Sequence, residues 1–138
     1  MIKSQKYGVY TNKHSCYLLQ YHLVLVTKYR HSVITGELKD ALYEYTRNYF
    51  KQQDLVLLEL NGEADHIHIL FEAPPQICLS KLINAYKSAS SRRMRQLFEN
   101  ELKQYYWKPY FWSLSYFVCT VSERSTEAVQ RYIQNQKG

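Results

Sequence analysis

Residues 61–75 read Asn-Gly-Glu-Ala-Asp-His-Ile-His-Ile-Leu-Phe-Glu-Ala-Pro-Pro. Within them His66 to Glu72 (HIHILFE) alternates aliphatic and polar side chains and predicts a strand, which Pro74-Pro75 stops. Successive strand residues point to opposite faces, so His66 and His68 project together while Ile67 and Ile69 face the other way. Upstream, Leu55 to Leu60 (LVLLEL) predicts a second strand. Asn61-Gly62 between the two is a hairpin signal, with Glu63-Ala64 available to lengthen the turn.

A helix is expected on either side of this hairpin. Glu37 to Gln53 places Leu38, Ala41, Leu42, Tyr45 and Tyr49 at helical spacing, just after Gly36. Leu79 to Phe98 is the longest helical pattern, with Leu79, Leu82, Ile83, Tyr86, Ser90 and Leu97 in one stripe. Outside the helices lie two more strands, Leu18 to Thr27 (LLQYHLVLVT) and Leu114 to Val121 (LSYFVCTV). Residues 99–112 read as irregular, and residues 1–16, polar with no period, as a mobile arm. A last helix follows, capped by Ser125 or Thr126, with Glu127 in its first turn.

The order β-α-β-β-α-β-α predicts an α+β, ferredoxin-like (RRM-like) split βαβ fold. Its four-stranded antiparallel sheet carries two helices on one face. The HxH strand is central in that fold, and the other sheet face is left open. With no repeat, low-complexity tract or interior linker, residues 1–138 read as a single domain.

Composition narrows the class. Eighteen Lys and Arg against 12 Asp and Glu give +6, and 14 tyrosines offer flat stacking area. Both suit a polyanionic partner such as nucleic acid. No apolar run is long enough to span a bilayer, so no membrane role is expected. The polar start Met1-Ile2-Lys3-Ser4-Gln5-Lys6 has no secretory apolar stretch. Cys16, Cys78 and Cys119 are widely spaced, which supports neither a disulfide framework nor a zinc knuckle. A cytoplasmic location is expected.

Three sets of residues are candidates for chemistry. His66 and His68, side by side, form a ready pair of metal ligands, with Asp65 and Glu63 near enough to orient or join them. Tyr132 and Gln136 lie one helical turn apart on the terminal helix: a nucleophile and an amide oxygen. The run Lys87-Ser88-Ala89-Ser90-Ser91-Arg92-Arg93-Met94-Arg95 sets short hydroxyl side chains beside cations, a combination that admits a phosphate backbone. It is equally a description of a solvated basic face. Lys28 and Arg30 form a second basic cluster, and Arg93 falls within the apolar stripe.

Taken together, Asp65-His66-Ile67-His68-Ile69-Leu70, the Lys87–Arg95 run, Lys28-Tyr29-Arg30, Trp112 with Thr120-Val121, and Tyr132-Ile133-x-x-Gln136 resemble the single-tyrosine (Y1) HUH transposases of the IS200/IS605 type. The resemblance spans Tyr17 to Gln136 with the motifs in order. It implies a homodimer that cuts and rejoins single-stranded DNA at transposon ends, recognising subterminal hairpins, in the bacterial or archaeal cytoplasm at the nucleoid. It implies Tyr132 as the nucleophile, on a catalytic helix over residues 125–137, leaving a 5′-phosphotyrosine and a free 3′-OH. It implies a divalent metal, Mg²⁺ or Mn²⁺, on His66, His68 and Gln136. Lys28, Arg30, Lys87, Ser91, Arg92 and Arg95 are the expected DNA contacts. No nucleotide cofactor is expected, because the phosphotyrosine ester conserves the bond energy and no P-loop is present. Three other readings stand beside it: a metal-dependent nuclease with a water nucleophile, a non-catalytic RRM-like nucleic-acid-binding module, and a structural dimer domain.

Overall fold

The computed structural model of the chain describes residues 9–12 and 14–138. Its main sheet comprises β3 (Gln20–Val26), β4 (Val56–Glu63), β5 (His66–Glu72) and β6 (Phe117–Thr120), in the antiparallel order β4-β5-β3-β6. This is the expected split βαβ arrangement, with the HxH strand central. Two long helices, α1 (Gly36–Gln52) and α2 (Leu79–Leu97), cover one face. Leu23, Leu25, Ile67, Ile69 and Phe71 point into that layer and are almost fully buried against Leu42, Phe50, Ile83 and Tyr86. Each such side chain contributes about 1.5–3 kcal/mol on burial, which pins the strand register.

The opposite face is not open, as the sequence suggested. Helix α4 (Ser125–Asn135) lies across it, where Val129 and Ile133 meet Val24, Val26, Phe117 and Cys119. The apolar pair Val24 and Val26 is what the helix covers.

Several local expectations are corrected. The hairpin turns at Ala64-Asp65, and Asn61-Gly62 belongs to β4. Gly62 is needed for close approach rather than for the turn: its φ is +151°, and a Cβ there would lie 2.3 Å from the His66 carbonyl oxygen. Part of the segment taken as irregular is a short helix, α3 (Glu99–Lys103). The fourth strand is shorter than expected, because Trp112 already bridges Thr27 and the chain then detours before pairing with β3.

Residues 1–8 and 13 of the expected arm lie outside the described residues. The rest is not a free arm. β1 (Tyr10–Thr11) and β2 (Cys16–Tyr17) pair as a small hairpin, and buried Tyr10 donates its hydroxyl proton to the Glu72 carboxylate. On α2 the buried residues are Ile83, Tyr86, Ser90 and Met94, while Leu97 is exposed. Arg93 is therefore displaced from the buried stripe and points to solvent. None of the helices among the described residues is long and apolar enough to cross a membrane.

Candidate active site

Register places the two histidines. His66 is paired with Val26 and His68 with Val24, so both imidazoles stand on the face that α4 covers. His66 is buried, and its Nδ1 is 2.9 Å from Asp65 Oδ1. A carboxylate only accepts, so Nδ1 carries the proton and Nε2 keeps its lone pair. Asp65 is in turn gripped by Arg30, whose Nε and second terminal nitrogen lie 3.0 and 2.8 Å from Oδ2. Partial burial opposes the charge on Asp65, but the bonds from His66 and Arg30 outweigh it and hold the carboxyl below its usual range.

His68 Nδ1 lies 3.2 Å from Asn61 Oδ1, and its Nε2 lies 2.9 Å from His22 Nδ1. His22 Nε2 then reaches the Ser125 hydroxyl at 3.1 Å. Asn61, His68, His22 and Ser125 thus form one hydrogen-bonded row, and the Ser125 hydroxyl donates its one proton to the Ser122 carbonyl at 2.9 Å. Burial lowers the pKa of both His22 and His68, which keeps them neutral, the form a metal requires. His66 fits a cation, with its Nδ1 proton engaged by Asp65 and its Nε2 left for a ligand, the usual outer-sphere support for a ligating imidazole. His68 Nε2 is held by His22 and would have to leave it to ligate. Among the described residues, Glu63, Asp65 and His66 also bring ligand atoms within 4.8 Å of one another.

Tyr132 and Gln136 are brought together, but not onto the histidines. The Ser115 hydroxyl lies 3.2 Å from the Tyr132 hydroxyl and accepts from Gln136 Nε2 at 3.2 Å. Tyr132 stacks on Phe117 of the edge strand β6, with ring centroids 5.2 Å apart. Both residues line an open hollow of about 400 Å³ together with Phe117, Ala128, Arg131 and Asn135. Strand β3 intervenes between β6 and the histidines, a separation of two strand spacings, about 10 Å. Gln136 is the residue after the last helical turn, so its backbone is extended rather than helical.

The expected DNA contacts divide. Arg92 is exposed, and Arg95 is half-buried with Nε 3.2 Å from the Ser91 hydroxyl. Ser88 and Ser91 line a groove of about 230 Å³ against residues 109–114. Lys87 is not an outward cation: its ammonium donates to the carbonyls of Ser113 and Leu114 at 2.8 and 2.9 Å. Arg30 is also committed, to Asp65 and to the carbonyls of Ile133 and Gln136 at 2.7 and 2.9 Å. There it complements the negative end of α4. The Lys28 ammonium sits 5.1 Å from the ring centres of both Tyr29 and Tyr110.

Sequence reasoning gave no part in the site to His22, Asn61, Ser115 or Ser125. Ser125 was expected as a cap, but Arg124 holds that position and Ser125 is the first residue of α4. The alternation His22, Val24, Val26 was the one available signal for His22. Asn61 was read only as a turn residue. Nothing local marks Ser115.

A terminal helix laid over one face of a split βαβ sheet is the fold this chain shares with transposases of known structure. The family model for IS200-like transposases matches residues 15–136, and this chain belongs to that family. It is 38% identical over 120 residues to the ISDra2 transposase TnpA of Deinococcus radiodurans, covering 87% of this chain and 85% of the relative. It is 33% identical over 123 residues to the transposase for insertion sequence element IS200 of Salmonella typhimurium, covering 89% and 80%. A crystal structure from Deinococcus radiodurans, itself assigned as a transposase, superposes with a TM-score of 0.84 at 39% identity, covering 92% of this chain and 97% of that one. A tyrosine transposase bound to a REP hairpin shares the fold at 7% identity, with a TM-score of 0.57 over 93% of this chain and 76% of that one. The protein is thus a DNA-binding transposase, with the DNA-cleaving and strand-transfer activity that the family implies.

Proposed function

We propose that this transposase cuts and rejoins single-stranded DNA through a covalent bond to Tyr132, acting as a homodimer on hairpins near the element ends. The observation that supports this most is the placement of α4. It lays Tyr132 and Gln136 on the same sheet face that presents His66 and His68.

In the cleavage step the Tyr132 oxygen attacks phosphorus. The new O–P bond forms as the bond to the 3′ oxygen breaks, the phenol proton is lost, and the departing oxygen takes up a proton. The product is a 5′-phosphotyrosine and a free 3′-OH. Rejoining is the reverse attack by a 3′-OH, which releases Tyr132. His66, His68 and the Gln136 amide oxygen would hold Mg²⁺ or Mn²⁺. The ion supplies charge neutralisation at a non-bridging phosphate oxygen. Asp65 holds the His66 ring in orientation, and Arg30 holds Asp65. Ser115 keeps Tyr132 and Gln136 oriented together at the β6 edge. Reaction then requires α4 to carry them to a histidine pair. Ser125 and Val129 are the only buried residues of α4, and the move breaks the bonds from Arg30 to the Ile133 and Gln136 carbonyls.

The test is trapping of end-labelled single-stranded DNA on the protein in Mn²⁺. A label resistant to denaturation supports the reading. Cleavage without any adduct would instead assign a water nucleophile.

The basic face of α2 is proposed to hold DNA through Arg92, Arg95 and Ser91. Each phosphate contact on a single strand contributes about 0.7 to the log–log salt slope. Arg92→Ala and Arg95→Ala are each expected to lower the slope by about that much in a titration of affinity against salt. Unchanged slopes would make this a solvated face. Light scattering is expected to report twice the 16.6 kDa chain mass. A strict monomer with full strand-transfer activity would remove the homodimer from the mechanism.

A further inference from the structure

One exposed surface lies outside the histidine and tyrosine sites and takes in Lys28, one of the expected DNA contacts. Trp107 is 88% exposed, Tyr29 57% and Tyr105 44%. Trp107 and Tyr110 line one groove, Tyr110 meets Tyr29, and His31 joins Tyr29 to Tyr105. Large rings rarely stand exposed together without a partner. Cations lie among them. The Lys108 ammonium sits 4.9 Å from the Trp107 ring centre, and Lys28 lies between Tyr29 and Tyr110. Tyr29 and Tyr110 meet edge to face at 6.0 Å.

The backbone is bent to create this surface. Tyr29 and Arg30 have φ of 58° and 53°, left-handed values that L side chains disfavour. The conformation is held because Arg30 is tied to Asp65 and to the end of α4. That tie turns Arg30 toward the histidines and leaves the ring of Tyr29 in solvent. The aromatic surface thus begins one residue from the network that orients His66.

We propose that Tyr29, Tyr105, Trp107 and Tyr110, with Lys28 and Lys108, form a stacking platform for unpaired bases of single-stranded DNA running to or from the catalytic centre. The choice of a single strand follows from the chemistry. Unpaired bases have free faces that stack on aromatic rings, and cations between the rings meet the backbone. In a duplex those faces are already occupied. The inference rests on the DNA-strand-transfer reading for its biological meaning, but its test does not require cleavage.

Trp107 is exposed and Trp112 is buried, so tryptophan fluorescence reports on the platform. In EDTA, a short oligothymidylate is expected to quench the wild-type emission, and Trp107→Ala is expected to abolish the quenching. By anisotropy, Trp107→Ala should weaken oligothymidylate binding about five- to hundredfold. Trp107→Phe should restore most of the affinity, because a ring is kept. Binding of a generic blunt hairpin should not change. Unaltered oligothymidylate affinity in Trp107→Ala overturns the platform, as does an equal loss on the blunt hairpin. Either failure leaves the Tyr132 adduct assay standing as the independent test of the strand-transfer reading.

Discussion

Tyr132→Phe is expected to eliminate the covalent protein–DNA adduct and reduce cleavage to background, with DNA binding retained. The substitution removes one oxygen and keeps the ring stacked on Phe117. The hydroxyl has a hydrogen-bonding neighbour in Ser115, so its loss should cost only about 0.5–1.5 kcal/mol of stability. Denaturing gel electrophoresis with labelled DNA reads the adduct, and mass spectrometry places it. Adduct on another tyrosine, or persistence of adduct in Tyr132→Phe, would sink the assignment. Ser115→Ala separates position from chemistry: it keeps the nucleophile and removes the hydroxyl that gathers Tyr132 and Gln136. A slowed but complete reaction is the outcome that fits.

The second large effect is expected at the histidines. His66→Ala and His68→Ala should each abolish Mn²⁺-dependent cleavage, read in the same gel assay. The two differ in their effect on the fold. His66 is 6% exposed and satisfies Asp65, so its loss should destabilise the protein by about 1–3 kcal/mol, measurable as a lower Tm. His68 is less buried, but when it goes Asn61 loses its bond to the ring and His22 keeps only Ser125. Wild-type cleavage by either folded variant, checked by circular dichroism, would remove the metal from these residues. Asp65→Asn should weaken metal dependence by about 10–100-fold without removing a ligand, as loss of an outer-sphere partner does.

Lys87 and Arg30 were expected as DNA contacts, and both turn their charge inward onto the protein itself. Lys87 is drawn in by two carbonyls 26 and 27 residues away, and Arg30 by carbonyls more than a hundred residues away. A helical-wheel argument assigns direction from the element's own spacing and is blind to an acceptor supplied by a distant segment. Arg93 was expected within the apolar stripe, but the stripe continues from Ser90 to Met94, four residues on, and leaves Arg93 exposed.

Sequence alone determined the four main strands, the three longer helices and the fold class, but not α3 or the small β1–β2 hairpin. HIHILFE fixes a strand because alternation admits only one way to bury Ile67 and Ile69. That same alternation puts His66 and His68 together. The spacing of Tyr132 and Gln136 is likewise local, although Gln136 lies just past the end of α4. Such relations are local and follow from backbone geometry. What only the tertiary structure decided are the relations across long stretches of chain. The register of β3 against β5 brings His22 to His68, and the packing of α4 on Val24 and Val26 brings Ser125 to His22. The return of the chain before β6 brings Ser115 to Tyr132. No residue type or spacing encodes these pairs one by one. Each is set by how the apolar faces of separate elements fit together, and that is a property of the whole core.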